Sequence, residues 1–207
     1  MTAAKPIELI SVEDYLAGEL LAKRKHEYSA GRVYAMTGGR NAHNAVATSF
    51  LVAAGGRLRG KPCRPFNSDT KVHVRLATHT RFYYPDAMVV CEPNAGNDLY
   101  QDRPVLIAEV LSVGTRRIDE GEKREAYLAI PSLATYLMIE SSSPRVVACE
   151  RATAGGGFVD HVYEGLDAVV PFPALGFSLP LAELYERVDF AAAAADDAAD
   201  EAELNGG

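Results

Sequence analysis

The most informative residue of the chain is an acid in the wrong company. Glu109 lies inside PVLIAEVLS (104–112), an otherwise nearly continuous apolar run of the kind that forms a strand buried on both faces. Burying a carboxylate there without compensation costs several kcal/mol or forces protonation. Either a base such as Arg81 or Lys71 pairs with it inside the core, or it borders a cleft that holds a cation. Asp86 follows Pro85 in YYPDAMVV (83–90), where an aspartate can simply bond its own backbone in a turn or bulge. The next predicted strand, however, carries Glu109, and adjacent strands run about 4.8 Å apart. Two inward carboxylates at similar height could chelate one ion, and oxygen-only ligation with open positions suits Mg²⁺ or Mn²⁺ rather than zinc. Asp86 and Glu109 are therefore read as the acidic half of a divalent-metal site.

Other residues could complete it. Asp119, Lys123 and Tyr127 are spaced four apart and share one face of a predicted helix. A helix that follows the Glu109 strand packs back on the sheet, so Lys123 can reach the strand end; the alternative is an ordinary Asp119–Lys123 surface pair. Glu27 opens a predicted hairpin and serves either as a supporting acid, as a remote ligand, or as an exposed strand charge. His43, near the start of a long helix, can face the cleft as acid, base or phosphate donor, or be structural. His73, His79 and His161 show no ligand spacing, and Asp69 reads as a turn residue.

The elements that must position these groups are legible in outline. Ser11 and Asp14 form a capping box for a short helix, SVEDYLAG (11–18). HEYSAGRVYAM (26–36) reads as a hairpin turned at Ser29-Ala30-Gly31. Asn41 is expected to cap a helix whose apolar face is Val46, Phe50, Leu51, Ala54 and Leu58, ending by Gly60. Strand signals follow at 68–76, at 81–92 with Pro85 as an edge or bulge, and at 104–112. A helix is expected over 116–130, ended by Pro131, then strands at 134–141, 145–151 and 157–163 and a final amphipathic helix at 179–188. The sum is an α/β fold, a mixed sheet core built from about residues 68–151 and flanked by helices. Residues 1–188 read as one domain and 189–207 as an acidic, alanine-rich, disordered tail.

Composition narrows the function classes. The net charge of −7 looks unsuited to a polyanion ligand, but six of the 28 acids follow Arg187, which leaves 22 against 21 basic residues in the body. A near-neutral body permits a local basic groove. The three cysteines, Cys63, Cys91 and Cys149, are far apart and read as reduced, buried thiols. No apolar run approaches the length that spans a bilayer, and MTAAKPIELISVEDY lacks the features of a secretory signal, so a cytoplasmic location and no membrane contact are expected.

PD at 85–86 followed by an acid within a strand resembles the PD-(D/E)xK phosphodiesterase superfamily of restriction endonucleases. HEYSAGRVYAM (26–36), Asn41 with HN at 43–44, SDTKV (68–72), YYPDAMVVCE (83–92), IAEVLSVGTRRIDEGEKREAY (107–127), YLMIES (136–141) and LPLAELY (179–185) are together similar to the Uma-two family within that group. The resemblance implies a restriction-endonuclease-like fold and a metal held by Asp86, Glu109 and the backbone carbonyl of Val110, with Glu27 in support. It also implies Mg²⁺- or Mn²⁺-dependent hydrolysis of DNA. Two such domains would be needed to cut both strands together, so a homodimer is expected. One departure matters: the superfamily's lysine, two positions after the acid, is Leu111 here, and the role passes to Lys123, where the matching family segment also carries its lysine. A chain that keeps the fold and binds DNA without cutting it is the first alternative. A glycosidase using two bare carboxylates is the second, disfavoured by the absence of tryptophan. General acid–base catalysis supplies about 3–5 kcal/mol, and phosphodiester hydrolysis demands far more, which favours a metal.

Overall fold

The computed structural model describes residues 9–36, 38–153 and 156–206. In chain order these form α1 (Val12–Glu19), β1 (His26–Ser29), β2 (Arg32–Ala35), α2 (Asn41–Leu58), β3 (Arg64–Asn67), β4 (Lys71–Arg75), β5 (Thr80–Tyr83), β6 (Ala87–Val90), β7 (Tyr100–Gln101) and β8 (Pro104–Leu111). A helical segment follows: α3 (Arg116–Ile118), a π-helical turn (Asp119–Lys123) and α4 (Arg124–Leu128). The chain then runs through β9 (Thr135–Glu140), β10 (Arg145–Arg151), β11 (Phe158–Glu164), β12 (Val169–Phe172), β13 (Phe177–Pro180), α5 (Leu181–Leu184) and α6 (Phe190–Gly206). The N-terminal stretch 1–8 discussed above lies outside the described residues.

The central sheet has six strands in the order β11-β10-β9-β8-β6-β3. Its one parallel pair is β8 with β9, and the helical segment 116–128 supplies the crossover that a parallel pair requires. Alternation along the strands divides the core in two. Ala87 and Val89 of β6, with Leu106, Ala108 and Val110 of β8, face α2 and its buried Val46, Phe50 and Ala54. Met88, Val90, Ile107 and Leu111 face the other way, onto Tyr127, Ile130 and Leu133. Glu109 shares the parity of Ile107 and Leu111, so its side chain points to the face covered by α3 and α4. A five-stranded sheet, β2-β1-β5-β4-β7, lies beside the first. Ser11 caps α1 by accepting from the Asp14 amide at 3.0 Å, and Tyr15 of α1 stacks on Tyr28 at 5.0 Å.

Several expectations need correction. The segment 81–92 is not one strand: Pro85 separates β5 and β6, which belong to different sheets. Proline cannot continue a ladder, and here it marks the point where the chain leaves one sheet for the other. The core sheet therefore omits β4 and β5 and gains β3 and β11. The helix start at 41 is right, but Arg40 holds the cap position and makes no side-chain capping bond. The last amphipathic helix shrinks to the four residues of α5, because residues 177–180 pair with β12. The acidic segment is helical over Phe190–Gly206 rather than disordered. Its alanines are the best helix formers and Asp189 Oδ1 accepts from the amides of Ala191 and Ala192 at 3.1 Å. Finally, Cys63 and Cys91 form a disulfide; they flank β3 and β6, whose Arg64–Val90 register sets them opposite each other. Cys149 is a buried free thiol, as expected.

Candidate active site

The register of β6 against β8 pairs Ala87 with Ala108, so Asp86, one step before β6, stands opposite Glu109. The two are laced together through the backbone. The Asp86 amide donates to Glu109 Oε2 at 3.2 Å, and the Val110 amide donates to Asp86 Oδ2 at 2.7 Å. Because a strand residue directs its N–H and C=O to the same side, the Val110 carbonyl also faces Asp86. His43, from the first turn of α2, brings Nε2 to 3.2 Å from Asp86 Oδ2.

Lys123 arrives from the opposite side. Its ammonium lies 3.2 Å from Glu109 Oε1, 3.2 Å from Glu27 Oε1 and 3.3 Å from Asp119 Oδ1. Asp119 and Lys123 begin and end the π-helical turn and are both buried, so the pair is not a surface one. π-turns within helices are frequent at functional sites. Tyr127, one turn further, donates its hydroxyl to Glu109 Oε1 at 2.8 Å. The bases considered for Glu109 serve elsewhere: Arg81 pairs with Glu122, and Lys71 donates to the Leu99 carbonyl. Leu111, at the superfamily's lysine position, is packed in the apolar cluster around Tyr127. Glu27 is fixed from the second sheet, where its Oε1 also accepts from the Tyr84 amide at 3.3 Å.

Three carboxylates thus converge on one lysine, with Asp86 beside them. Burial first of all pushes Glu109 well above the ordinary carboxyl range; Lys123 pulls it back, and Asp119, Asp86 and Glu27 add to the rise. Burial likewise raises Glu27 and Asp119. Burial alone would lower Lys123, but Glu109, Glu27 and Asp119 hold its ammonium well above the usual lysine range. Burial would lower His43, but the hydrogen bond and charge of Asp86, with Asn44 and Asp119, together raise it. Although 3.3 Å from the ammonium, Asp119 Oδ1 is buried without an aligned hydrogen-bond donor. A surplus of buried negative charge, an unsatisfied carboxylate oxygen and an oxygen-only donor set fit a hard divalent cation. The groups open onto a cavity of about 410 Å³ lined by His43, Asp86, Glu109, Val110, Asp119 and Lys123 among others.

All five side chains singled out in the sequence, Asp86, Glu109, Lys123, Glu27 and His43, meet in this cluster. Asp119 and Tyr127, which share a helix face with Lys123 by their spacing in the sequence, join the cluster as direct partners of Lys123 and of Glu109.

The comparisons with known proteins agree with this architecture. A solved structure from Anabaena variabilis, described as "a putative nuclease belonging to DUF820", superposes with a TM-score of 0.64. It shares 15% identity, and the match covers 85% of this chain and 97% of the other, which establishes the shared fold. Two uncharacterized proteins of Synechocystis sp. are similar in sequence. One is 29% identical, with 89% of this chain and 96% of the relative covered. The second is 28% identical, with 70% and 83% covered. The model of the Uma2 family, described as "Putative restriction endonuclease", matches residues 12–182, which takes in the whole carboxylate–lysine cluster. The chain belongs to the Uma2 family and carries its restriction-endonuclease-like fold.

Proposed function

We propose that the chain is a Mg²⁺- or Mn²⁺-dependent endonuclease that hydrolyses phosphodiester bonds of DNA. One observation carries the reading: Asp86 and Glu109 converge from neighbouring strands beside a buried ammonium 3.2 Å from Glu109, at the wall of an open cavity. In this reading Asp86, Glu109 and the Val110 carbonyl hold the ion. Among the described residues no three His, Cys, Asp or Glu side chains stand as a ready-made cage, so a bound ion would take the rest of its ligands from solvent or substrate. A bound divalent ion supplies Lewis-acid polarisation of the phosphate and a water that ionises near neutral pH.

The chain's own residues do the rest. The Val110 amide and the Tyr127 hydroxyl fix one oxygen each of Asp86 and Glu109, so neither carboxylate must reorganise when it ligates. Lys123 is held protonated, and therefore donates to a phosphate oxygen or to the attacking water and is not a general base. Glu27 and Asp119 keep that ammonium in place from two different elements. His43, its proton favoured by Asp86, can donate to a phosphate oxygen at the cavity wall. Attack would be in line, without a covalent intermediate, and two copies of the chain would serve the two strands of a duplex.

The test is cleavage of plasmid DNA with Mn²⁺, beside calorimetric titration of Mn²⁺ into wild type, Asp86→Ala and Glu109→Ala. Cleavage by wild type, lost in both variants together with ion binding, is the expected result. Unchanged ion affinity in both variants removes the site assignment, and DNA binding without cleavage leaves a non-catalytic DNA-binding protein on this fold.

A further inference from the structure

The acidic helix α6 is not a free appendage. Ala193 on its inner face is buried, and Phe190 at its start packs on Tyr185 with ring centroids 5.4 Å apart. Three residues on from Ala193, and then at helical spacing, come Asp196, Asp200 and Glu203, which line one wall of a cavity of about 560 Å³. The opposite wall is the N-terminal end of α2: Gly38, Gly39, Arg40 and His43. Gly38, Gly39, His43, Ser112 and Thr115 also line the cavity over Asp86 and Glu109, so the two hollows share one rim.

Across the first hollow the charges are paired. Arg40 Nε donates to Asp200 Oδ2 at 2.9 Å, its Nη2 meets Asp200 Oδ1, and its Nη1 lies 3.3 Å from Asp196. The N-terminal turn of α2 has no side-chain cap and no acid, so its amides present an unneutralised positive end beside Arg40. The preceding backbone comes in close because it is glycine: a Cβ on Gly39 would fall 2.6 Å from His43 Nδ1. A guanidinium fork, a glycine pair and an open helix start are the parts from which proteins build phosphate sites. Here carboxylates from the same chain are seated on the guanidinium fork.

We propose that Arg40 and the first turn of α2 bind a backbone phosphate flanking the one that is cut, and that the acidic face of α6 occupies this place as a phosphate mimic. The inference rests on the nuclease reading above and adds to it a regulation of the same site. Exposed ion pairs contribute little net stability and are screened by salt, so α6 is displaced by a ligand that brings several phosphates at once. The five acids of α6, unaccompanied by Lys or Arg, also repel a polyanion until they move.

The test uses the full chain and a labelled duplex oligonucleotide, with binding followed by fluorescence anisotropy without divalent ions. Asp196→Asn, Asp200→Asn and Glu203→Gln are combined in one variant. A control neutralises three exposed acids away from α6, Glu13, Asp98 and Asp167. The first variant is expected to bind on the order of tenfold tighter than wild type and to show a steeper salt dependence, by about 0.9 in slope for the phosphate contact Arg40 gains. Adding Arg40→Ala to it cancels the gain, whereas Arg40→Ala in the wild-type chain changes little. The proposal is overturned if the first variant binds no tighter than the control, or if its gain survives Arg40→Ala. The nuclease reading stands or falls separately, on Mn²⁺-dependent cleavage by wild type against Asp86→Ala.

Discussion

Replacing Lys123 by Met asks how much of the fold's stability depends on one ammonium. Methionine keeps most of the side chain's length and packing and removes the charge. The ammonium lies within 3.3 Å of Glu27, Glu109 and Asp119, and its side chain is only 9% exposed. Removing one partner of a buried ion pair costs about 3–5 kcal/mol, since the other charge is left without water or counter-charge. With a urea m-value of about 2 kcal/mol per M, that lowers the unfolding midpoint by about 2 M at pH 7.5. The carboxyls can escape by keeping a proton. Glu109 already holds its proton to higher pH than an unfolded glutamate, and losing Lys123 raises it further. A carboxyl whose folded pKa is raised binds more protons folded than unfolded, so the stability it contributes declines as pH rises from its unfolded value of 4.5 through the folded one. The cost of Lys123→Met should therefore shrink at pH 5 and grow toward pH 8. Saturating Mn²⁺ should stabilise the variant by at least about 2 kcal/mol, by linkage to the folded state. A loss below about 1 kcal/mol, equal at both pH values, would refute the view that Lys123 balances buried carboxylates.

Further outcomes follow from other contacts. Tyr127→Phe removes the hydroxyl that donates to Glu109 at 2.8 Å and should cost about 1–3 kcal/mol in urea unfolding, with weaker Mn²⁺ binding by calorimetry. His73 is depressed by burial and by Arg75, against the pull of Asp102. Its contribution is thus fully present above the unfolded value of 6.5 and lost as pH falls through the folded one, so the stability gap between wild type and His73→Gln should narrow on acidification, read from paired denaturant curves. Iodoacetamide should modify no thiol of the folded chain quickly, because Cys149 is buried and pushed up to about 11. Mass spectrometry after unfolding should count one adduct without reductant and three with it, since Cys63 and Cys91 are joined.

What the sequence made legible divides by distance along the chain. The apolar strand around Glu109, the hairpin at 26–36 and the face shared by Asp119, Lys123 and Tyr127 are local patterns, set by periods of two and four. They place the acids and the lysine from local sequence alone. The partition of strands between two sheets was not legible, because β5 and β6 carry the same aromatic and β-branched character, and only tertiary packing assigns them. The Cys63–Cys91 bond likewise depends on the pairing of β3 with β6, and β3, only four residues with a proline inside, gives little signal. Residues 190–206 failed for a different reason. Low complexity was read as lack of a core, yet alanine favours helix, and one buried residue, Ala193, together with Phe190 is enough to lay that helix against the body.

The cluster around Lys123 also dictates when the molecule can become complete. Glu27 belongs to one sheet and Glu109 to the other, and the ammonium touches both. A ribosome that adds roughly 5–20 residues per second exposes Glu27 about 5–20 seconds before Lys123 follows. During that interval the first hairpin carries a carboxylate with no counter-charge, and Glu109 waits on a strand whose parallel partner β9 is not yet made. Closing the cluster brings together segments nearly a hundred residues apart, a long loop whose closure is entropically costly and kinetically late. The arrangement of charges thus exists only once both sheets have met, so a nascent or partly folded chain holds the right residues but not the site.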